Sequence, residues 1–96
     1  MPEFLVAVHV RFPADMSPDE RAAVIEAERV RGRELRSAGV IQRIWRVPGA
    51  LRNVAIWSAA DATELHAALM SLPAAPWCEM EVTALAVHAL EGGDDA

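Results

Sequence analysis

The fold turns on the stretch Val40-Ile41-Gln42-Arg43-Ile44-Trp45-Arg46-Val47-Pro48-Gly49-Ala50-Leu51-Arg52-Asn53-Val54-Ala55-Ile56-Trp57-Ser58. Residues 40–47 and 53–58 are rich in β-branched and aromatic side chains, which suit a pleated, half-buried surface. Pro48-Gly49 between them favours a type II turn, because proline fixes φ at the first central position and glycine accepts positive φ at the second. The stretch therefore predicts a β-hairpin with a longish loop.

On the N-terminal side of the hairpin the period changes from two to 3.6. Ser17-Pro18-Asp19-Glu20 supplies an N-cap serine, a proline at the first helical position and a glutamate three residues after the cap, and together these open a helix. Gly39 after Ser37-Ala38 suits its C′ position, so the helix is predicted over about 18–38. Before it, Phe4 to Phe12 alternates. Phe4, Val6, Val8 and Val10 point one way and Leu5, Ala7, His9 and Arg11 the other, the pattern of a strand with one buried face. Beyond the hairpin, Asp61-Ala62-Thr63-Glu64 is a second capping box, opening a helix over about 62–71 that stops before Leu72-Pro73. A loop with Pro73 and Pro76 leads to a last strand over about 79–89, with His88 at its end, and the glycine- and acid-rich tail 91–96 is expected to be disordered.

The order β-α-β-β-α-β belongs to the α+β class and to the ferredoxin-like sandwich. Right-handed crossovers put both helices on one face of a four-stranded antiparallel sheet and leave the other face open. A second copy is the commonest cover for such a face, giving an assembly of the dimeric α+β barrel type. One domain over 1–90 accounts for all the elements.

Composition narrows the partners. The net charge is −5, and all nine basic residues are scattered arginines, so no basic stripe addresses nucleic acid or anionic lipid. A hydrophobic fraction of 53% is generous for a 96-residue monomer, which fits self-association. Cys78 is the single cysteine and is read as an inert packed thiol. No run approaches the ~20 apolar residues of a membrane span, and no secretory leader is visible; the expected location is cytoplasmic. His9, His66 and His88 lack the close spacing of a metal-binding helix, so no metal site is expected. His66 is read as structural.

Glu28 is the residue that does not fit. Positions 24, 28, 31, 35 and 38 lie three or four apart and line one helix face, and among Val24, Leu35 and Ala38 a carboxylate stands where a core-facing side chain is expected. Glu20, Arg21, Glu26, Arg29, Arg33 and Arg36 read as solvated surface. The carboxylate is either neutralised, most simply by Arg31 one turn on, or held for proton transfer.

Ile44-Trp45-Arg46-Val47-Pro48-Gly49 followed by Asn53, then Glu64-Leu65-His66, Leu69, Leu72-Pro73, Pro76 and Glu81-Val82, resembles the muconolactone delta-isomerase family. The first strand running into Pro13-Ala14-Asp15-Met16 fits the same pattern, and the resemblance spans Phe4 to about His88. It implies a cofactor-free enzyme of aromatic catabolism, homo-oligomers from dimers up to decamers, and sites between subunits. It also implies proton movement along an unsaturated lactone, from muconolactone to the 3-oxoadipate enol-lactone. One carboxylate can serve such a shift as both base and acid, and burial raises its pKa toward the working pH. Glu28 is the candidate shuttle; Asn53, helped by Arg46, would hold the developing oxyanion. The resemblance points to both Glu28 and Asn53. Candidate substrate-binding residues are His9 on the open sheet face, Arg46, Leu51, Trp57 as an apolar wall, and Ala75 in the proline loop.

The chain departs from the family pattern at Val24 and Ile25, where a basic residue is usual, at Ala50-Leu51-Arg52, where an aromatic is usual, at Ala7 in place of a lysine, and at Ala74-Ala75 in place of a bulky pair. These changes predict a pocket of different polarity with more room in the proline loop. Two further readings of the scaffold are a cofactor-free isomerase or cyclase for a larger biosynthetic substrate, and a ligand-binding or oligomerisation module without chemistry.

Overall fold

Each predicted element is present in the computed structural model, which describes residues 1–92. Strand β1 (Glu3–Val10) is followed by helix α1 (Pro18–Ser37), the hairpin β2 (Ile41–Val47) and β3 (Arg52–Ser58), helix α2 (Ala62–Met70), a 3₁₀ turn (Ala75–Trp77), strand β4 (Cys78–Leu85) and a short helix α3 (Ala89–Gly92). The sheet order is β2-β3-β1-β4, with every neighbour antiparallel.

The local signals act as read. Ser17 Oγ accepts from the Glu20 N–H at 3.1 Å and Asp61 Oδ1 from the Glu64 N–H at 2.8 Å, each satisfying an amide that a helix N-terminus leaves free. Gly39 and Gly49 carry the positive φ expected of a helix C′ residue and of the type II turn.

Alternation in β1 divides the sheet. Phe4, Val6 and Val8 are buried beneath the helices with Ala55 and Trp57 of β3 and Ile41 of β2, where Leu35 of α1 and Leu65 and Leu69 of α2 meet them. On the opposite face Leu5, Trp45 and their neighbours are uncovered.

The structure also revises several boundaries and placements. β4 stops at Leu85, the partner of Glu3 at the start of β1, because no neighbouring strand continues beyond that point. His88 therefore lies past the strand and not at its end, and its Nδ1 accepts from the Leu90 N–H at 3.0 Å. The expected disordered tail 91–96 falls mostly outside the described residues; Glu91 and Gly92 close α3. Ala38 is the exposed C-cap of α1 and not part of its inner stripe. Arg21, read as solvated, is half-buried, and its Nη2 donates to the Pro13 carbonyl at 3.2 Å.

One irregularity was invisible in the sequence. The register of β2 against β3 shifts between Ile41 and Arg43, a bulge at Gln42, whose carbonyl accepts from Arg36 and whose side-chain amide donates to the Gly39 carbonyl. An extra residue reverses which face every later side chain takes. Arg46 thus pairs with Asn53, itself opposite Val8, on the helix side. Trp45 is sent to the open face under the Arg43 guanidinium, 5.0 Å from its ring centroid.

Leu35 is the one fully buried residue of α1. Leu35→Ala is expected to lower the unfolding free energy by about 2–5 kcal/mol, whereas Glu26→Ala on the outer face should change it by no more than about 0.5 kcal/mol, both read from urea midpoints.

Candidate active site

A cleft of about 230 Å³ opens where α1 diverges from the sheet near the β2–β3 turn, lined by Val10, Phe12, Ile25, Glu28, Arg29, Arg46, Leu51, Asn53 and Ala74. Its walls follow from local structure. Val10 and Phe12 continue the inward parity of β1, and the Phe12 ring is held against Trp77 with centroids 5.8 Å apart. The Arg11 N–H donates to the Trp77 carbonyl at 2.8 Å and the Val10 N–H to the Leu51 carbonyl at 2.9 Å, so the ends of three segments are tied around the opening.

Glu28 enters from the helix side. It is half-buried, and its Oε1 accepts from the Ala74 N–H at 3.0 Å. Burial, which disfavours the charged form, lifts its pKa above the ordinary carboxylate value, with the Ala74 hydrogen bond acting in the opposite direction. The ion pair with Arg31 does not form: Arg31 Nε donates to Ser71 Oγ at 3.0 Å and its Nη1 faces Glu34 at 3.4 Å. The carboxylate thus faces the cleft with one backbone donor and no cationic partner among the described residues.

The proline loop supplies that donor. Pro73 and Pro76 bracket a tight turn in which Ala74 is buried and its carbonyl accepts from the Trp77 N–H at 2.9 Å and from Cys78 Sγ at 3.2 Å. Cys78 stays a thiol over the physiological range, its pKa pushed up to about 11 by burial and by the neighbouring Glu28 charge, so it is no nucleophile. Ala74, one of the two small residues that depart from the family pattern, is the one whose amide meets Glu28.

Across the cleft, Asn53 on β3 presents its amide from the sheet side, with no side-chain hydrogen bond among the described residues. Arg46 stands beside it and donates one Nη1–H to the Arg52 carbonyl at 3.2 Å, leaving most of its five donors free. Leu51 forms the rim. Glu28, Asn53, Arg46 and Leu51 are therefore brought together.

Three candidates lie elsewhere. His9 is on the opposite face of the sheet, in a second cleft of about 230 Å³ with Arg11, Arg52, Glu79 and Glu81, where its Nδ1 accepts from Arg11 Nε at 3.3 Å. Trp57 is 2% exposed in the core, because it shares the inward parity of Asn53 and Ala55 and sits under both helices. Ala75 begins the 3₁₀ turn and packs on the core, so its neighbour Ala74 is the loop residue that reaches the cleft. Val10, Phe12, Arg29 and the Ala74 amide are further members of the cleft, and Ile25, marked in the sequence by its departure from the family pattern, lines it too. Strand parity alone could have supplied Val10 and Phe12; the amide needs the folded loop. No three His, Cys, Asp or Glu side chains are grouped to hold a metal, and no helix is long and apolar enough to cross a membrane, among the described residues.

The family profile that matches this chain is that of muconolactone delta-isomerase, over residues 2–90. Muconolactone Delta-isomerase 1 of Acinetobacter lwoffii is 36% identical over 93 residues, 96% of each chain. The muconolactone delta-isomerase of Rhodococcus opacus is 34% identical over 85 residues, 88% of this chain and 91% of the relative. A muconolactone isomerase crystal structure at 3.3 Å resolution matches with a TM-score of 0.85 at 29% identity, over 91% of both chains. Its ferredoxin-like sandwich and the motifs from Ile44 to Val82 are thus accounted for together: the chain is an isomerase belonging to the muconolactone delta-isomerase family.

Proposed function

We propose that the chain converts muconolactone to the 3-oxoadipate enol-lactone, with Glu28 carrying the proton and Asn53, beside Arg46, holding the carbonyl oxygen. The observation that carries this reading is a half-buried carboxylate with raised pKa facing a free side-chain amide across one small cleft. In an α,β-unsaturated lactone the γ proton is acidic because its loss gives a dienolate. The Glu28 carboxylate takes that proton, the double bond moves from α,β to β,γ as charge passes through the carbonyl oxygen, and the new carboxylic acid returns the proton to the α carbon. Atoms balance, the oxidation level is unchanged and no second reactant enters. A base suited to this work has a pKa lifted toward neutrality, and a neutral amide donor beside a guanidinium suits an oxyanion that exists only in passing.

The cleft has room for this substrate. Sites for drug-sized ligands run to ~300–1,000 Å³, and about 230 Å³ suits a single ring with a short substituent. A module without chemistry would have no use for a carboxylate held against its solvation preference. The same reading carries a cytoplasmic location and self-association, and the exposed Leu5 and Trp45 on the open sheet face support the latter.

Glu28→Gln keeps the shape and an oxygen for the Ala74 amide but cannot shuttle a proton; loss of the conjugated lactone's absorbance should slow by about 10²–10⁴-fold. A wild type that leaves muconolactone unchanged, or a Gln variant as fast as wild type, would sink the reading. Stability should move the other way. A carboxyl with a raised folded pKa favours the fold fully only below its unfolded pKa, and that contribution is lost as pH rises through the folded value. The melting temperature of Glu28→Gln should therefore gain on wild type between acidic and neutral pH.

The pH profile follows from the same shift. Because the free enzyme must hold Glu28 ionised to act as base, kcat/KM should fall as pH is lowered, with its midpoint above the usual carboxylate range; a midpoint inside that range would contradict the assignment. Asn53→Ala should lower kcat by roughly 10²–10³-fold with a smaller change in KM, measured by steady-state kinetics.

A further inference from the structure

Arg29 lies next to Glu28 in the sequence and was read as surface, yet it lines the same cleft as Arg46 and Asn53. Its position has a geometric cause. One residue along a helix is a turn of roughly 100°, so a side chain following the inward-facing Glu28 emerges at the edge of the helix. Arg29 also borders the adjoining groove formed with Ile41 and Ile44, which puts it over the β2 side of the opening.

The cleft's charge is unlike that of the whole molecule. The chain carries −5, whereas the described residues lining the cleft bring two guanidinium groups and one carboxyl. The lining is otherwise apolar or neutral, so its net charge is positive whether Glu28 is ionised or not. Arg29 is held only loosely: its Nη1 is 3.6 Å from Glu26 Oε2, with both side chains more than 60% exposed, an ion pair of the kind that contributes little. The guanidinium can exchange that partner for a better-aligned anion.

Resting on the isomerase reading, we propose that Arg29 is a specificity residue that binds a free carboxylate on the substituent of the lactone. With Asn53 and Arg46 side by side on the sheet and Glu28 opposite, the ring occupies the inner part of the cleft. A substituent leaving the ring toward the mouth then meets Arg29 at the β2-side lip. Arg46 serves the ring carbonyl with Asn53, and Arg29 serves the tail. A planar guanidinium matches a carboxylate with two parallel N–H donors, so the site selects the acid over neutral esters and amides of the same ring. Arg29 does not touch the reacting atoms; it sets which lactone is accepted.

The test compares muconolactone with its methyl ester on wild type, Arg29→Gln and Arg46→Gln. Loss of one charge-assisted contact should raise KM for the acid by roughly ten- to a hundredfold in Arg29→Gln with kcat nearly kept, while the ester's kinetics stay at the wild-type level. Arg46→Gln should impair acid and ester alike. An unchanged KM for the acid in Arg29→Gln, or an equal loss for acid and ester, overturns the assignment. Failure of wild type to isomerise either compound would instead overturn the isomerase reading. Calorimetric titration of the acid and the ester into Glu28→Gln and into Glu28→Gln with Arg29→Gln then decides the carboxylate contact without turnover: acid binding weakened in the double variant supports it, and equal binding removes it.

Discussion

The Glu28 carboxylate can stand half out of water because one backbone amide meets it there. The Ala74 N–H joins the middle of α1 to a loop forty-six residues further along the chain, at 3.0 Å. An ionised group in an apolar setting is costly unless it is hydrogen-bonded, and an isolated amide is a weaker stabiliser of charge than a cation would be. The balance leaves the carboxyl easier to protonate than usual while keeping it fixed in direction. Cys78 and the Trp77 amide hold the other end of the same residue, so the donor is set by the loop's own turn. A loop in another conformation would cost the site both its donor and its rear wall.

Much of the scaffold was legible because the decisive signals are local. Alternation in β1 is readable when one face is buried, since a single slip would expose Phe4, Val6 and Val8 together. Ser17 and Asp61 announced helices because an N-terminus needs an oxygen acceptor of that reach. The end of β4 was not legible: apolar residues continue through Val87 and Leu90, yet a strand lasts only as long as its neighbour, and β1 begins at Glu3. Those two side chains are left 86% and 73% exposed, a consequence of the fold and not of local preference.

The site was legible in the same partial way. Glu28 stands out because helical period exposes a misplaced charge, and Asn53 and Arg46 answer to the donors that a developing oxyanion needs, the resemblance pointing to Glu28 and Asn53. Trp57 lies in the core and not along the cleft: an aromatic suits either equally well in composition, and only its register with Phe4 and Ile41 decides. Arg29 was passed over for a comparable reason. Its helix position is peripheral, and it becomes part of a cleft only through the width of the sheet beside it. Parity within an element can be read from sequence, whereas proximity between elements has to be folded to be seen.

The bulge at Gln42 bears on how this scaffold can change over evolutionary time. Arg46 takes the helix side and Trp45 the open face because Gln42, upstream of both, is left out of the pairing. Deleting Gln42 would leave the pairing from Arg43 to Val47 as it is, whereas drawing Gln42 into the ladder would move the guanidinium to the open face and the indole to the helix side with the sequence unchanged. Such a change is reached by a slip of one residue in the pairing, a far shorter path than replacing both residues. The bulge therefore acts as a point of evolutionary leverage: its retention keeps a guanidinium at the cleft, and straightening it with Gln42 kept would put an indole there in one step.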